Sequence, residues 1–158
     1  MLKTSITEFS TALGKLARQL DMTYDLRHAD YRPKVMITVS AYDHCLNLLL
    51  TKWRAKCLSI DIVGGVLSNH DACRNTVDWD GISFHHFPIT PETKSEQESK
   101  ILELFDRTDV ELLVLVRYMQ ILSNETSERL AGRAINPHHS FLPGFKGARP
   151  HHQANERA

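Results

Sequence analysis

A chain of 158 residues, 42% hydrophobic and 24% charged, is long enough for one domain with a real core. Nineteen Lys and Arg balance nineteen Asp and Glu, which excludes the basic excess expected of a nucleic-acid or anionic-membrane partner. No apolar run approaches the roughly 20 residues of a membrane helix. The first residues lack a signal-type apolar region, and Cys45, Cys57 and Cys73 form no C-x-x-C pair, so a reduced cytoplasmic protein is expected.

In chain order, Ser5-x-x-Glu8 reads as a capping box. It opens a helix with Ile6, Phe9, Leu13, Leu16, Ala17 and Leu20 at helical spacing. Met22, Tyr24 and Leu26 alternate as a short strand, and the polar residues 27–33 read as a linker. Residues 34–40 form a continuous apolar strand. Asp43 then caps a helix running to about Lys56, with Leu46, Leu49, Leu50 and Trp53 inward. Residues 58–67 and 84–87 read as the second and third strands. Thr90-Pro91 starts a helix to Arg107 that is polar in its first half and has Ile101, Leu102, Leu104 and Phe105 inward. Residues 110–116 form a fourth strand, Ser123 or Asn124 caps a short helix ending near Gly132, and residues 134–137 form a fifth strand.

Apolar strands alternating with helices predict a parallel α/β sheet covered on both faces. Ligand sites of such sheets lie at the carboxyl ends of the strands. The loops of interest are therefore residues 40–44, 68–71, 117–122 and 136–147.

Asn136 and His138, two apart in extended chain, share one side. An amide donor beside a titratable imidazole suits a reaction that develops an oxyanion. The competing reading is an asparagine that ends a strand and a satisfied core histidine. The pairs His85-His86, His138-His139 and His151-His152 point to opposite faces if extended, so no metal site is expected. Residues 117–122 read equally as a packed corner or as an apolar pocket wall for a flat ring. The helix start after Ser40 could hold an anion, but it lacks the glycines of a dinucleotide loop, and Asp43 would repel phosphate.

These residues resemble a known family. N-P-H-H-S-F-L-P-G-F-K-G-A-R-P-H-H-Q-A from Asn136, R-Y-M-Q-I-L-S from Arg117 and F-H-H-F-P-I-T-P-E-T-K from Phe84 are similar to formyltetrahydrofolate deformylases. S-A-Y-D-H-C-L-N-L-L-L from Ser40 and D-I-V-G-G-V-L-S-N-H from Asp61 fit the same family, so the likeness covers essentially the whole chain. Glycinamide-ribonucleotide and methionyl-tRNA formyltransferases share the Asn-x-His strand end and the Leu-Pro loop. The His139-Ser140-Phe141 version and the D-H-C-L segment are of the deformylase type.

The resemblance implies a Rossmann-like formyltransferase-type parallel sheet over residues 32–158, incomplete at its C-terminus. A partial ACT-type segment (α+β, ferredoxin-like) would precede it over residues 1–31. It implies hydrolysis of 10-formyltetrahydrofolate to tetrahydrofolate and formate, feeding purine synthesis and one-carbon balance. No cofactor is expected, since the folate is the substrate, and homo-oligomers are expected of the full-length family. Asn136 and His138 match two members of the family's Asn/His/Asp catalytic set. Arg117, Tyr118, Met119, Gln120, Ile121 and Leu122 match the folate-pocket segment, and Ser40, His44 and Gly147 would line the neighbouring cavity.

Three features depart from the family pattern. Its aspartate lies beyond Ala158, residues 1–27 match only the last helix and strand of an ACT domain, and Pro137 replaces an aliphatic residue. A chain truncated at both ends, with weak turnover alone, is the expectation. The alternatives are a non-catalytic folate-binding fragment and a formyltransferase with an amine acceptor.

Overall fold

The computed structural model describes residues 5–137. They fall into two compact units that divide between Tyr31 and Arg32.

The first unit is built on α1 (Ile6–Gln19). Its capping box is complete: Ser5 Oγ accepts the Glu8 amide at 3.2 Å, and Glu8 Oε2 accepts the Ser5 amide at 3.0 Å. Of this helix only Ala17 is buried, while Ile6, Phe9 and Leu16 are about half exposed. The strand expected at residues 22–26 does not form. A strand needs a ladder partner for its amides and carbonyls, and none of the described residues of this unit is a strand. Tyr24 instead folds back on the helix, its hydroxyl donating to the Ser10 carbonyl at 3.4 Å.

The second unit alternates strand and helix. Its elements are β1 (Lys34–Val39), α2 (His44–Arg54), β2 (Asp61–Ser68), α3 (Arg74–Trp79), β3 (Phe84–His86), α4 (Lys94–Arg107), β4 (Leu112–Val116), α5 (Asn124–Arg129) and β5 (Ala134–Ile135). The five strands form one parallel sheet in the order β3-β2-β1-β4-β5. From β1 the chain winds outward through β2 and β3, then returns to place β4 and β5 on the other side. The order therefore reverses between β1 and β4, and in sheets of this kind ligands bind at the carboxyl ends of the strands beside such a reversal.

Neighbouring residues on a strand feed opposite faces. Met36 and Leu67 join Ile101, Leu104 and Phe105 of α4 and Leu130 in one core. Ile37 and Val66 join Leu46 and Leu50 of α2 and Val77 of α3 in the other. This two-sided burial is why β1, all buried from Val35 to Val39, reads as an unbroken apolar run.

Several boundaries differ from the sequence reading. β2 begins at Asp61 rather than at residue 58, because its pairing starts where β1 does, with Lys34 opposite Asp61. α3 had no expected counterpart; only its Val77 is buried. α4 begins at Lys94 rather than at Pro91. Thr90 and Thr93 close a turn on each other, the Thr90 amide reaching Thr93 Oγ1 at 2.9 Å and the Thr93 amide reaching the Thr90 carbonyl at 3.2 Å. Asp43 occupies the start of α2 but caps no backbone amide; its carboxylate accepts from Asn47 Nδ2 at 2.9 Å. β5 is two residues long and stops short of Asn136.

Candidate functional site

The carboxyl-end rim is assembled by register. Val39 lies opposite both Ser68 and Val116. The next residues, Ser40, Asn69 and Arg117, therefore emerge together from the three central strands. Ser40 and Asn69 are buried, and the Ser40 hydroxyl donates to Asn69 Oδ1 at 2.9 Å. Asn69 lies in the loop of residues 68–71 that the sequence marks as one of interest, though no role is expected of it there.

Arg117 turns the chain in the left-handed region, at φ 51°. Its Nη1 lies 3.1 Å from His44 Nε2 at the start of α2, and its guanidinium stacks 5.2 Å from the Tyr42 ring centroid. Guanidinium groups only donate, so this contact requires the His44 Nε2 lone pair, with the ring proton on Nδ1. Arg117 Nε is buried and has no partner among the described residues. Arg117, His44 and Tyr42 thus bridge the β1 and β4 loops across the point where the strand order reverses.

Residues 118–122 mix anchors with surface. Tyr118 is 5% exposed, and its hydroxyl donates to Gln97 Oε1 at 2.9 Å. Burial pushes its phenol up to about 12; the nearby Glu98 charge adds to this, and the Gln97 bond opposes it. The phenol therefore stays a neutral donor. Leu122 packs against the same core as Phe105. Met119 and Ile121 are the apolar side chains of the segment left open, at 41% and 80% exposure. Gln120 is half-buried.

Gln97 and Glu98 also escaped the sequence reading, which left the first half of α4 polar and outward. Both are buried. They lie four and three residues before Ile101, so extending the apolar stripe backwards by one turn would have found them. Glu98 Oε2 accepts the Thr126 hydroxyl at 2.7 Å, and Oε1 accepts the Ser123 amide at 3.1 Å. Burial alone would raise the Glu98 carboxyl, but donors from Ser123 and Thr126, with the Lys94 charge, hold it below its ordinary value of 4.5. The stabilisation by this carboxylate is therefore complete above that value and is lost as pH falls through the lower folded one. Acidification below about pH 4.5 is expected to reduce amide-exchange protection at Ser123, and Glu98→Gln to abolish that acid step.

Asn136 follows β5, whose Ile135 lies opposite Val114, and it is exposed beside the end of β4. No hydrogen bond among the described residues joins it to the Ser40–Asn69 pair or to Arg117. His138 and Gly147 lie outside the described residues, as do His139 and Ser140. Among the described residues no cluster of three or more His, Cys, Asp or Glu is arranged to hold a metal, and no helix is long and apolar enough to cross a membrane.

With this geometry in place, comparison with known proteins is decisive at family level. A family profile described as formyl transferase matches residues 33–158. The chain belongs to the formyl transferase family. It is 49% identical over 151 residues to a formyltetrahydrofolate deformylase of Corynebacterium sp. (strain P-1), covering 96% of this chain and 51% of that protein. It is similar to the crystal structure of a formyltetrahydrofolate deformylase from Burkholderia mallei, at 46% identity and a TM-score of 0.80, covering 97% of this chain and 54% of that one. It is also similar to a phosphoribosylglycinamide formyltransferase of Coxiella burnetii, at 25% identity and a TM-score of 0.69, covering 80% and 61%. The chain spans about half the length of the curated relatives it matches. The parallel five-stranded sheet with flanking helices is thus the formyl transferase fold.

Proposed function

We propose that the whole protein hydrolyses 10-formyltetrahydrofolate to tetrahydrofolate and formate, in the cytoplasm, supplying formate for purine synthesis and one-carbon balance. The observation that carries this reading is the 49% identity to a protein named formyltetrahydrofolate deformylase, sustained over 96% of the chain. Identity to the phosphoribosylglycinamide formyltransferase is 25%. The start of α2 also lacks a glycine loop, which weighs against a phosphorylated amine acceptor.

In this reading residues 117–122 form a wall for the folate, with Met119 and Ile121 as its open apolar side chains. Water attacks the formyl carbon and negative charge builds on the carbonyl oxygen; collapse then breaks the formyl C–N bond, and the nitrogen leaves with a proton as tetrahydrofolate while the carbonyl carbon leaves as formate. Asn136 donates a hydrogen bond to that oxygen, and protonated His138 stabilises it and takes part in proton transfer. Ser40, His44 and Gly147 would line the adjoining cavity, as the resemblance implies. The whole protein would carry an ACT-type regulatory domain ending in residues 1–31, and it would assemble as a homo-oligomer.

Formate release from 10-formyltetrahydrofolate by the whole protein tests the reading. Stoichiometric formate with tetrahydrofolate supports it. Release that requires an added amine, with the formyl group recovered on that amine, overturns it in favour of a transferase. Folate binding without turnover would leave a binding protein.

A further inference from the structure

We infer that Gln97 and Glu98, adjacent on α4, are positioning residues that hold both ends of the 117–122 segment in its substrate-binding shape. The inference rests on the reading of that segment as the folate wall.

Gln97 uses both ends of its amide. Its Nε2 donates to the Phe87 carbonyl at 2.7 Å, and its Oε1 accepts the Tyr118 hydroxyl at 2.9 Å. A backbone carbonyl can only accept, so the nitrogen must face Phe87, which leaves the oxygen for Tyr118. One amide therefore ties the chain just after β3 to the first turn of the segment after β4.

Glu98 holds the other end. Its carboxylate spans the Ser123 amide, at 3.1 and 3.2 Å, and accepts the Thr126 hydroxyl at 2.7 Å. Ser123 in turn caps α5, its Oγ accepting the Thr126 amide at 3.2 Å. Lys94 lies 3.9 Å from the same carboxylate. Gln97 and Glu98 are 3% and 5% exposed. A buried amide and a buried carboxylate side by side on one helix are costly unless their bonds are made.

Between the two anchors lie Met119, Gln120, Ile121 and Leu122, and only Leu122 reaches the core. The exposed pair Met119 and Ile121 therefore gets its position from Tyr118 and Ser123, that is, from α4. The polar atoms of Gln97 and Glu98 are engaged by the protein itself.

The test uses two variants, Gln97→Leu and Glu98→Ala, with Glu98→Gln as the conservative control. In the whole protein each of the first two is expected to raise KM for 10-formyltetrahydrofolate about tenfold, with kcat changed less than about threefold. Glu98→Gln, which keeps an acceptor for Ser123, should recover most of the loss. Amide exchange in this chain should rise across residues 117–123 in the first two variants while β1 and β2 stay protected, which also shows that the variants fold. A working wild type with unmoved KM in both variants overturns the inference, as does a fall in kcat alone or unchanged exchange at 117–123. A wild type that neither binds nor hydrolyses 10-formyltetrahydrofolate overturns the functional reading itself, and that failure is distinct because it precedes any variant.

Discussion

Asn136→Ala in the whole protein is expected to lower kcat for formate release by about 10²–10³-fold, with KM little changed. An oxyanion donor acts on charge that exists only as the transition state forms, so its removal shows in kcat. Asn136 is exposed and makes no hydrogen bond among the described residues, so the thermal midpoint of the variant should match the parent. That combination separates a chemical role from a structural one. An unchanged kcat would remove Asn136 from the chemistry, and a lowered midpoint would return it to the role of a strand terminator. His138→Ala carries the same expectation from the resemblance.

The second large effect is on stability. Gly65→Ala is expected to cost about 3 kcal/mol, lowering the thermal midpoint by roughly 6–12 °C. Gly65 sits at φ 71°, where an L side chain is strained. An added Cβ there would also run into the Ser83 carbonyl. That carbonyl accepts the Val66 amide at 2.9 Å and so helps lock β3 against β2. Gly64 and Gly65 sit where the register breaks: Val35 pairs with Ile62 but Ile37 pairs with Val66, so between these pairs one residue of β1 faces three of β2. Gly64 fills the other half of the break, with space for a Cβ only 2.6 Å from Met36 Cβ and 2.7 Å from Val110 Cγ2. A midpoint shift under 2 °C would mean that the bulge relaxes freely.

The G-G pair inside an apolar run was visible in the sequence and is a recognised bulge signal. Its partner atoms were not visible, because Ser83 comes eighteen residues after Gly65 and Val110 forty-six residues after Gly64. The same divide runs through the site. Ser40 and Arg117 could be named because a polar residue directly after an apolar strand falls on the carboxyl rim of any parallel sheet. Their closeness could not be known, since it depends on β1 lying between β2 and β4. Tyr118 looked like a wall for a ring, but its ring is buried and its hydroxyl engaged by Gln97. Met119 and Ile121 are the apolar side chains that the segment leaves exposed.

Sequence by itself determined the α/β class, the order of strands and helices over residues 34–135 apart from the short α3, the capping box of α1 and the family. These depend on local periodicity, on caps three residues apart and on contiguous motifs, all of which are short-range properties of the chain. Tertiary structure alone decided which groups Gln97 and Glu98 bond, that residues 22–26 have no strand partner among the described residues, and that Arg117 reaches His44. Each of these depends on which distant residue occupies the space beside a polar group. A buried amide, carboxylate or strand edge is satisfied only by that neighbour, and no local pattern encodes its arrival.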